Sequence, residues 1–523
     1  MPDIRKVGVV GAGVMGAGIA AQVANAGVPV VLLDIVREGA RSRSAVAEEA
    51  VARMLKTDPA PFMSPAAAKL VTTGNIEDDL GLLAECDWII EAVVERPDVK
   101  QALYRKLDRV RRPGTGVSSN TSTIPLAALV HDMPDAFARD FLITHFFNPP
   151  RYMRLLELVT GPQTDAALVE QVSRFADVTL GKSVVRCKDT PGFIANRIGT
   201  LWLQLAVIEA IEQKIEVETA DAVIGRPFGI PKTGVFGLLD LVGIDLMPHI
   251  NASMSRTLPT SDAFHGVARD VPLVNAMIAD GRTGRKGKGG FYRMARGAGG
   301  AKMKEALDLG TGAYRPSVKA DVPEIAAAAK DLRRLMEAGT PAGRYAWAVM
   351  GKTLAYAASL VPEIADDIAS VDEAMRLGYN WKRGPFELID QLGAAWFARR
   401  LAAEGADVPP LLKLAGDRSF CRVENGQLQS LGTDGAYRDL VRPDGVLRLE
   451  DVKRRSKPLL RNGSASLWDI GDGVACFEFT GKGNSLDEQV MQLLAQSIPL
   501  VAEKMKALVI YNEGQHFSVG ANL

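Results

Sequence analysis

The run Gly11-Ala12-Gly13-Val14-Met15-Gly16 constrains this chain more than any other stretch. A short apolar strand, 6–10, leads into it, and a helix opens from it and runs to about 25–26, where Gly27 acts as a C-terminal cap. A second apolar strand, 28–34, ends in Asp34. Glycines at this spacing between a strand and a helix have distinct tasks. Gly11 permits the tight turn, Gly13 lets a pyrophosphate approach the backbone, and Gly16 lets helix and strand pack closely. Val14 and Met15 lie in the same loop and count with the cofactor-binding residues. The helix N-terminus stabilises phosphate charge. Asp34 can accept hydrogen bonds from adenosine ribose hydroxyls and would repel a 2′-phosphate, so NAD is favoured over NADP. An FAD site, or a glycine turn without cofactor, would use the same residues, and both stay open at this level.

Further short apolar strands at 88–94, 116–119 and 141–145 alternate with helical segments. That alternation indicates an α/β Rossmann-type, doubly wound parallel sheet over residues 1–189. The pattern changes at Thr190-Pro191, an N-cap and a first-turn proline. A long helix is predicted from there to about 213, with Ile194, Ile198, Leu201, Leu205 and Ile208 as its core stripe. The chain then reads mostly helical to about 412 and carries a faint repeat. Val217, Ala220, Gly225, Gly234, Phe236, Asp240 and Gly243 find Val371, Ala374, Gly378, Gly384, Phe386, Asp390 and Gly393 in the same order. Two all-α domains are expected, 190–300 and 341–412, joined by a Gly/Ala/Lys-rich stretch near 294–340. Residues 413–465 read as a polar connector with some hairpin content. A last α/β segment, 466–523, holds strands at 474–479 and 507–511 around a helix near 486–504.

Composition excludes several classes. Lys plus Arg and Asp plus Glu number 62 each, so no global field attracts nucleic acid. Cys86, Cys187, Cys421 and Cys476 are scattered, which gives neither a disulfide framework nor a zinc site and suits a reducing compartment. No apolar run reaches the ~18 residues of a membrane span, and no signal peptide is visible. A cytoplasmic protein is the expectation.

Four groups of residues point to chemistry. Glu91 and Glu95 follow the strand at 88–90, where strand ends line the ligand crevice, and Lys100 lies on the next helix. Each taken alone reads as a solvated charge on a helix face. Ser119-Asn120-Thr121-Ser122-Thr123 places small polar side chains at another strand end, a composition that caps and turns also use. His145 ends an apolar strand, and Glu157 sits inside Leu155-Leu156-Glu157-Leu158-Val159, where a carboxylate needs a partner. If the two strands are neighbours, His145 and Glu157 pair, as a general base does with the carboxylate that stabilises its protonated form. An ordinary buried polar pair remains the alternative. Asn196 lies off the core stripe of its helix, near Gly199 and Thr200, on a face that admits a ligand or a packing partner.

Together these pieces resemble the L-3-hydroxyacyl-CoA dehydrogenase family. The matching runs are Gly-Ala-Gly-Val-Met-Gly, Glu-Ala-Val-Val-Glu, Ser-Asn-Thr-Ser, His-Phe-Phe-Asn-Pro with its Glu, and Lys188-Asp189-Thr190-Pro191-Gly192-Phe193-Ile194-Ala195-Asn196-Arg197, over roughly residues 5–200. The resemblance implies NAD as cofactor and an acyl-CoA thioester as substrate. It implies His145 as catalytic base oriented by Glu157, and Ser122 and Asn196 at the substrate's C3 oxygen or thioester region. It implies Glu95 and Lys100 as cofactor contacts, and Asn148 as a contact of the cofactor or the substrate near the nicotinamide. Gly-Pro-Phe-Glu-Leu-Ile-Asp at 384–390 resembles the family's helical dimerisation domain, which implies a homodimer through the helical domains. The stretch from Val474 to Leu523 resembles the start of an enoyl-CoA hydratase (crotonase) domain, with the Val519 N–H as half of an oxyanion hole. It reads as a partial crotonase-like segment, from which hydratase activity is not expected.

Overall fold

A computed structural model describes residues 3–296, 301–514 and 516–521. It divides into two units, Met1–Phe420 and Cys421–Leu523. The boundary expected at 300 falls on 297–300, outside the described residues, as does Asn522.

The first unit is built on an eight-stranded sheet. Its strands are β1 (Val7–Val10), β2 (Val30–Asp34), β3 (Val71–Asn75), β4 (Trp88–Glu91), β5 (Gly116–Ser119), β6 (Phe141–Phe146), β7 (Leu155–Thr160) and β8 (Ser183–Cys187). The spatial order is β3-β2-β1-β4-β5-β6-β7-β8. Neighbours from β3 through to β6 are parallel, β6 and β7 are antiparallel, and β7 and β8 are parallel again. The central strands are mostly apolar because helices cover both faces, with Glu91, Ser118 and Ser119 as buried polar exceptions toward their carboxyl ends; Val7, Val9, Leu32, Trp88 and Ile90 are fully buried or nearly so. The order reverses between β1 and β4, and ligand crevices form at the carboxyl ends of strands on either side of such a reversal. α1 (Val14–Asn25) leaves β1 at that point, and α2 (Pro97–Val110) follows β4.

The helical part departs from the sequence expectation in two places. α3 (Ala195–Glu212) starts at Ala195 and not at Pro191. Gly192 and Phe193 hold φ of 78° and 49°, which cannot enter a right-handed helix. The stripe Ile194, Ile198, Leu201, Leu205 and Ile208 is buried as expected. The stretch read as a linker near 294–340 instead contributes to an antiparallel sheet, β9 (Tyr292–Arg296), β10 (Lys302–Leu307) and β11 (Tyr314–Pro316), followed by short helices. After it, α4 (Ile368–Gly378) packs on β7 and β8. The second unit opens with another antiparallel sheet, β12 (Cys421–Glu424), β13 (Gln427–Leu431) and β14 (Tyr437–Asp439), where the sequence suggested a connector with some hairpin content. Its remaining strands, β15 (Leu460–Arg461), β16 (Ala465–Asp469), β17 (Val474–Phe479) and β18 (Ala507–Ile510), lie in that order with α5 (Glu488–Lys504) packed against them. Among the described residues, no helix is long and apolar enough to cross a membrane, and no group of three or more His, Cys, Asp or Glu could hold a metal ion.

Candidate active site

The glycine turn after β1 divides its labour. A Cβ on Gly11, at φ 106°, would lie 2.5 Å from the Ala92 carbonyl oxygen, and one on Gly16 would lie 1.8 Å from the Gly11 oxygen. Those two glycines are required by the chain's own backbone. A Cβ on Gly13 would meet nothing within 4 Å. Gly13 is the N-cap of α1, and no side chain caps that helix. An uncapped N-terminus thus faces open space, with Val14 exposed beside it and Met15 next in the turn. Asp34, at the end of β2, accepts hydrogen bonds from the Ala12 N–H and from the Ile35 N–H at 2.6 Å. Each oxygen keeps acceptor capacity for a ribose hydroxyl. Backbone donors for a pyrophosphate and an acceptor for a ribose are the features a dinucleotide needs, so the residues present fit NAD.

Beside the cradle lies a buried charge cluster. Glu91, fully buried at the end of β4, accepts from Lys100 Nζ at 2.7 Å, Tyr104 Oη at 2.6 Å, Ser119 Oγ at 2.7 Å and the Val93 N–H at 2.7 Å. Lys100 also reaches Glu95 at 3.3 Å. Its side chain is 1% exposed, so the reading of a solvated charge fails here. Glu95 in turn accepts from Thr121 Oγ1 at 2.5 Å, the Ser122 N–H at 2.9 Å and the Thr123 N–H at 3.3 Å. Burial alone would raise the Glu95 carboxyl. The Lys100 charge and the hydrogen bonds from Thr121 and Ser122 outweigh it and hold the group below the usual carboxylate range. The cluster therefore fixes the loop that carries Ser122.

β6 and β7 pair in the register that sets His145 opposite Glu157. The Nδ1 of His145 is 2.7 Å from Glu157 Oε2, and its Nε2 is 3.1 Å from Ser122 Oγ. With a carboxylate on Nδ1, that nitrogen carries the proton and Nε2 is left as an acceptor. Phe147 and Phe193 pack on the imidazole at centroid distances of 4.7 and 5.7 Å. The other Glu157 oxygen accepts the Ile194 N–H at 3.1 Å and the Ala195 N–H at 2.8 Å, so the N-terminus of α3 compensates a carboxylate that is 0% exposed. Asn196 is the next residue of that helix, half-buried and without a hydrogen-bond partner among the described residues. Asn148 follows β6, exposed and likewise unpartnered.

Two anchors were not found from sequence. The α3 N-terminus as partner of Glu157 could not be read because the helix was placed too early. Arg197, fully buried, donates to Tyr356 Oη at 2.6 Å, to Glu363 at 3.0 Å and to Asp262, and so ties the start of α3 to both helical repeats. A buried arginine directly after Asn196 was the available signal. In the second unit, the Val519 N–H donates to the Gly483 carbonyl at 3.1 Å, so the expected oxyanion donor is committed within the chain.

Two family models match: the 3-hydroxyacyl-CoA dehydrogenase NAD binding domain over residues 6–190, and the C-terminal domain of the same family over 192–294. A Rickettsia felis protein named as a fatty acid oxidation complex trifunctional enzyme is 36% identical over 523 residues, all of this chain and 69% of that protein. A Bacillus subtilis protein named as a 3-hydroxyacyl-CoA dehydrogenase is 37% identical over 543 aligned residues, 99% of this chain and 68% of its own length. Among solved structures, 3-hydroxybutyryl-CoA dehydrogenase from Escherichia coli K12 superposes with a TM-score of 0.58 at 24% identity, covering 79% of this chain and 98% of that one, which shows a shared fold.

Proposed function

This chain belongs to the 3-hydroxyacyl-CoA dehydrogenase family, and we propose that it oxidises the 3-hydroxyl of an L-3-hydroxyacyl-CoA to the 3-ketone in fatty-acid oxidation, with His145 as general base. The observation that carries this reading is the continuous line Ser122 Oγ, His145 Nε2, His145 Nδ1, Glu157 Oε2. Bound NAD supplies the hydride acceptor. His145 Nε2, free to accept, takes the hydroxyl proton, and Glu157 stabilises the imidazolium that forms. Ser122, fixed through Glu95, orients the substrate oxygen at Nε2, and the Asn196 amide holds the adjacent part of the acyl group. Glu95 and Lys100 act on the cofactor side by fixing the 121–123 loop, and Asn148 has its amide free for the nicotinamide end. Phe147 and Phe193 keep water from the reacting centre. Residues 6–190 bind the cofactor, and the helical segments cover the substrate side. In any homodimer, the α3 face bonded by Tyr345 and Tyr356 is already covered from within the chain.

The test is NADH formation from NAD and 3-hydroxybutyryl-CoA, followed by absorbance, with the same assay on NADP. Turnover with NAD supports the reading; no turnover with any 3-hydroxyacyl-CoA overturns it. Replacing Asp34 with a small neutral residue should narrow the NAD/NADP preference in kcat/KM, because both ribose acceptance and phosphate repulsion are lost.

A further inference from the structure

The small-residue face of α3 around Asn196 has an occupant. Tyr379, the residue after α4, lays its phenol against Gly199: a Cβ there would sit 2.0 Å from the hydroxyl oxygen and 2.1 Å from Cζ. Its ring also meets Trp202 edge-on at 5.7 Å. Gly378, just before it, is equally close-set. A Cβ on Gly378 would lie 3.0 Å from the Leu155 side chain, 3.2 Å from Ala195 and 3.3 Å from Phe147. Ala195 donates its N–H to Glu157, and Phe147 packs on His145. The end of α4, which belongs to the second helical repeat, therefore stands directly against the His145–Glu157 pair.

Tyr379 does more than fill space. Its hydroxyl has no hydrogen-bond partner among the described residues, and neither has the Asn196 amide; both side chains are partly exposed. Both groups are therefore open to a partner from outside the chain. Asn196 and Gly199 are one turn apart on the same helix face, about 5–6 Å between Cβ positions. Since the Tyr379 hydroxyl touches the Gly199 position, it lies on the helix face that carries Asn196, about one turn from it. Burial, and then the negative charge of Glu157, push the Tyr379 phenol above its ordinary range, so it stays a neutral donor wherever His145 acts as a base.

We propose that Tyr379 is a substrate-binding residue supplied by the second helical repeat, its hydroxyl and the Asn196 amide together holding the thioester carbonyl oxygen of the acyl-CoA. This rests on the reading above, in which His145 and Ser122 take the C3 oxygen. A thioester carbonyl two carbons from C3 accepts two hydrogen bonds and presents no donor, which matches two donors side by side. The pairing explains why α3 carries glycine at 199, since any side chain there would displace the phenol.

Tyr379→Phe removes one oxygen that bonds nothing in the protein, so the melting temperature should not fall. Steady-state kinetics with 3-hydroxybutyryl-CoA should show the acyl-CoA KM raised about 3- to 10-fold, the loss of one neutral hydrogen bond, with the KM for NAD unchanged. Acetoacetyl-CoA binding by calorimetry, measured in a His145→Ala background, should weaken by the same factor without dependence on turnover. Gly199→Ala should reproduce the effect by pushing the phenol away. Unchanged acyl-CoA KM and unchanged acetoacetyl-CoA affinity in Tyr379→Phe, with the wild type active, would overturn this inference alone. Equal rises in both KM values would overturn it as a structural effect. A wild type that oxidises no 3-hydroxyacyl-CoA would overturn it together with the reading on which it rests.

Discussion

Two helical segments of the first unit open on the same dipeptide, Thr-Pro, and they open differently. At Thr340-Pro341 the threonine Oγ1 accepts the Gly343 N–H at 3.3 Å and the helix starts at Pro341. At Thr190-Pro191 the Thr190 hydroxyl is buried with no partner, Gly192 and Phe193 turn through left-handed backbone, and the helix waits until Ala195. A phenylalanine in that conformation is strained, by roughly 1–3 kcal/mol. What holds it is Glu157, 37 and 38 residues away in sequence, which takes the N–H groups of Ile194 and Ala195. The first helix gives up a local cap and receives a carboxylate that also orients His145. Local rules fail most often where a site overrides them, and here the override and the site share one side chain.

Past their first helices the repeats agree closely. Asp221 accepts the Phe236 and Gly237 N–H groups at 2.8 and 3.2 Å; Asp372 accepts those of Phe386 and Glu387 at the same two distances. Asp240 accepts the Phe291 N–H at 2.7 Å, and Asp390 accepts that of Phe420 at 2.6 Å. Phe236 meets Phe291 at 4.7 Å, and Phe386 meets Phe420 at 4.9 Å. Each repeat then runs into a three-stranded antiparallel sheet. The aspartates set the register, which shifts the sequence pairing of Val217 with Val371 by three positions. The frame is common; the start of the first helix is what distinguishes the first repeat.

The sharpest way to break this comparison is to remove the base. His145→Ala should lower kcat by about 10²- to 10⁴-fold while NAD affinity, measured by fluorescence titration, stays near wild type. Near-normal turnover would mean that the departure at 190–195 serves packing and not catalysis. Glu157→Gln should come next. The amide oxygen can still accept from Ala195, but the amide NH₂ would face His145 Nδ1 and favour the tautomer with the proton on Nε2. By analogy with carboxylates that orient metal-bound histidines, kcat should fall roughly 10- to 100-fold. A kcat unchanged in a folded Glu157→Gln chain would separate the helix start from the chemistry.

The legible parts of the molecule were those fixed by neighbours in sequence. The glycine turn, Asp34 and the apolar strands obey local sterics, and their tasks can be read from order alone. His145 and Glu157 could be paired because each is a lone polar group in an apolar strand and adjacent apolar strands bury each other's faces. The start of α3 was illegible because its cap comes from another strand. Lys100 looked like a surface charge because Glu91, which also gathers Tyr104 and Ser119, reaches it only in the fold. The hairpin content expected within 413–465 is the β12–β13 pair, while the sheet β9–β11 went unread because strands such as Lys302–Leu307 are rich in exposed charge and show no clean alternation. The residue just before each sheet, Phe291 or Phe420, is held by an aspartate about 50 residues upstream in one case and 30 in the other.

If the common frame is real, the two aspartates should be interchangeable in cost. Asp221→Ala and Asp372→Ala each leave two backbone N–H groups without that acceptor; compared in a Tyr292→Phe background, because Asp221 also accepts the Tyr292 hydroxyl at 2.9 Å, each should cost about 1–3 kcal/mol of stability per orphaned group in denaturant titrations. A large inequality would mean that the repeats share geometry but not energetics. Burial raises the Asp221 carboxyl to about 7, against backbone hydrogen bonds that lower it. A carboxyl raised in the folded chain keeps a proton that the unfolded chain, at a pKa of about 4, has lost. That stabilisation is complete below about pH 4 and is lost as pH rises to about 7. The melting temperature should therefore fall across this window, and Asp221→Asn should flatten the fall.

The smallest effect discriminates most finely between the two helix starts. Thr340→Ala removes an N-cap and should cost about 0.5–2 kcal/mol, with kcat and both KM values unchanged. Thr190→Ala removes a hydroxyl that caps nothing and bonds nothing, so it should stay within about 0.5 kcal/mol of wild type. The same substitution in the same dipeptide should thus be destabilising at one helix and silent at the other. Parallel denaturant titrations of the two variants would decide it. Equal losses would show that Thr190 still caps a helix in solution, which would place the start of the helix at Pro191 and take the Ile194 and Ala195 N–H groups away from Glu157. The reverse order of costs would show that the second helix, not the first, depends on a distant acceptor.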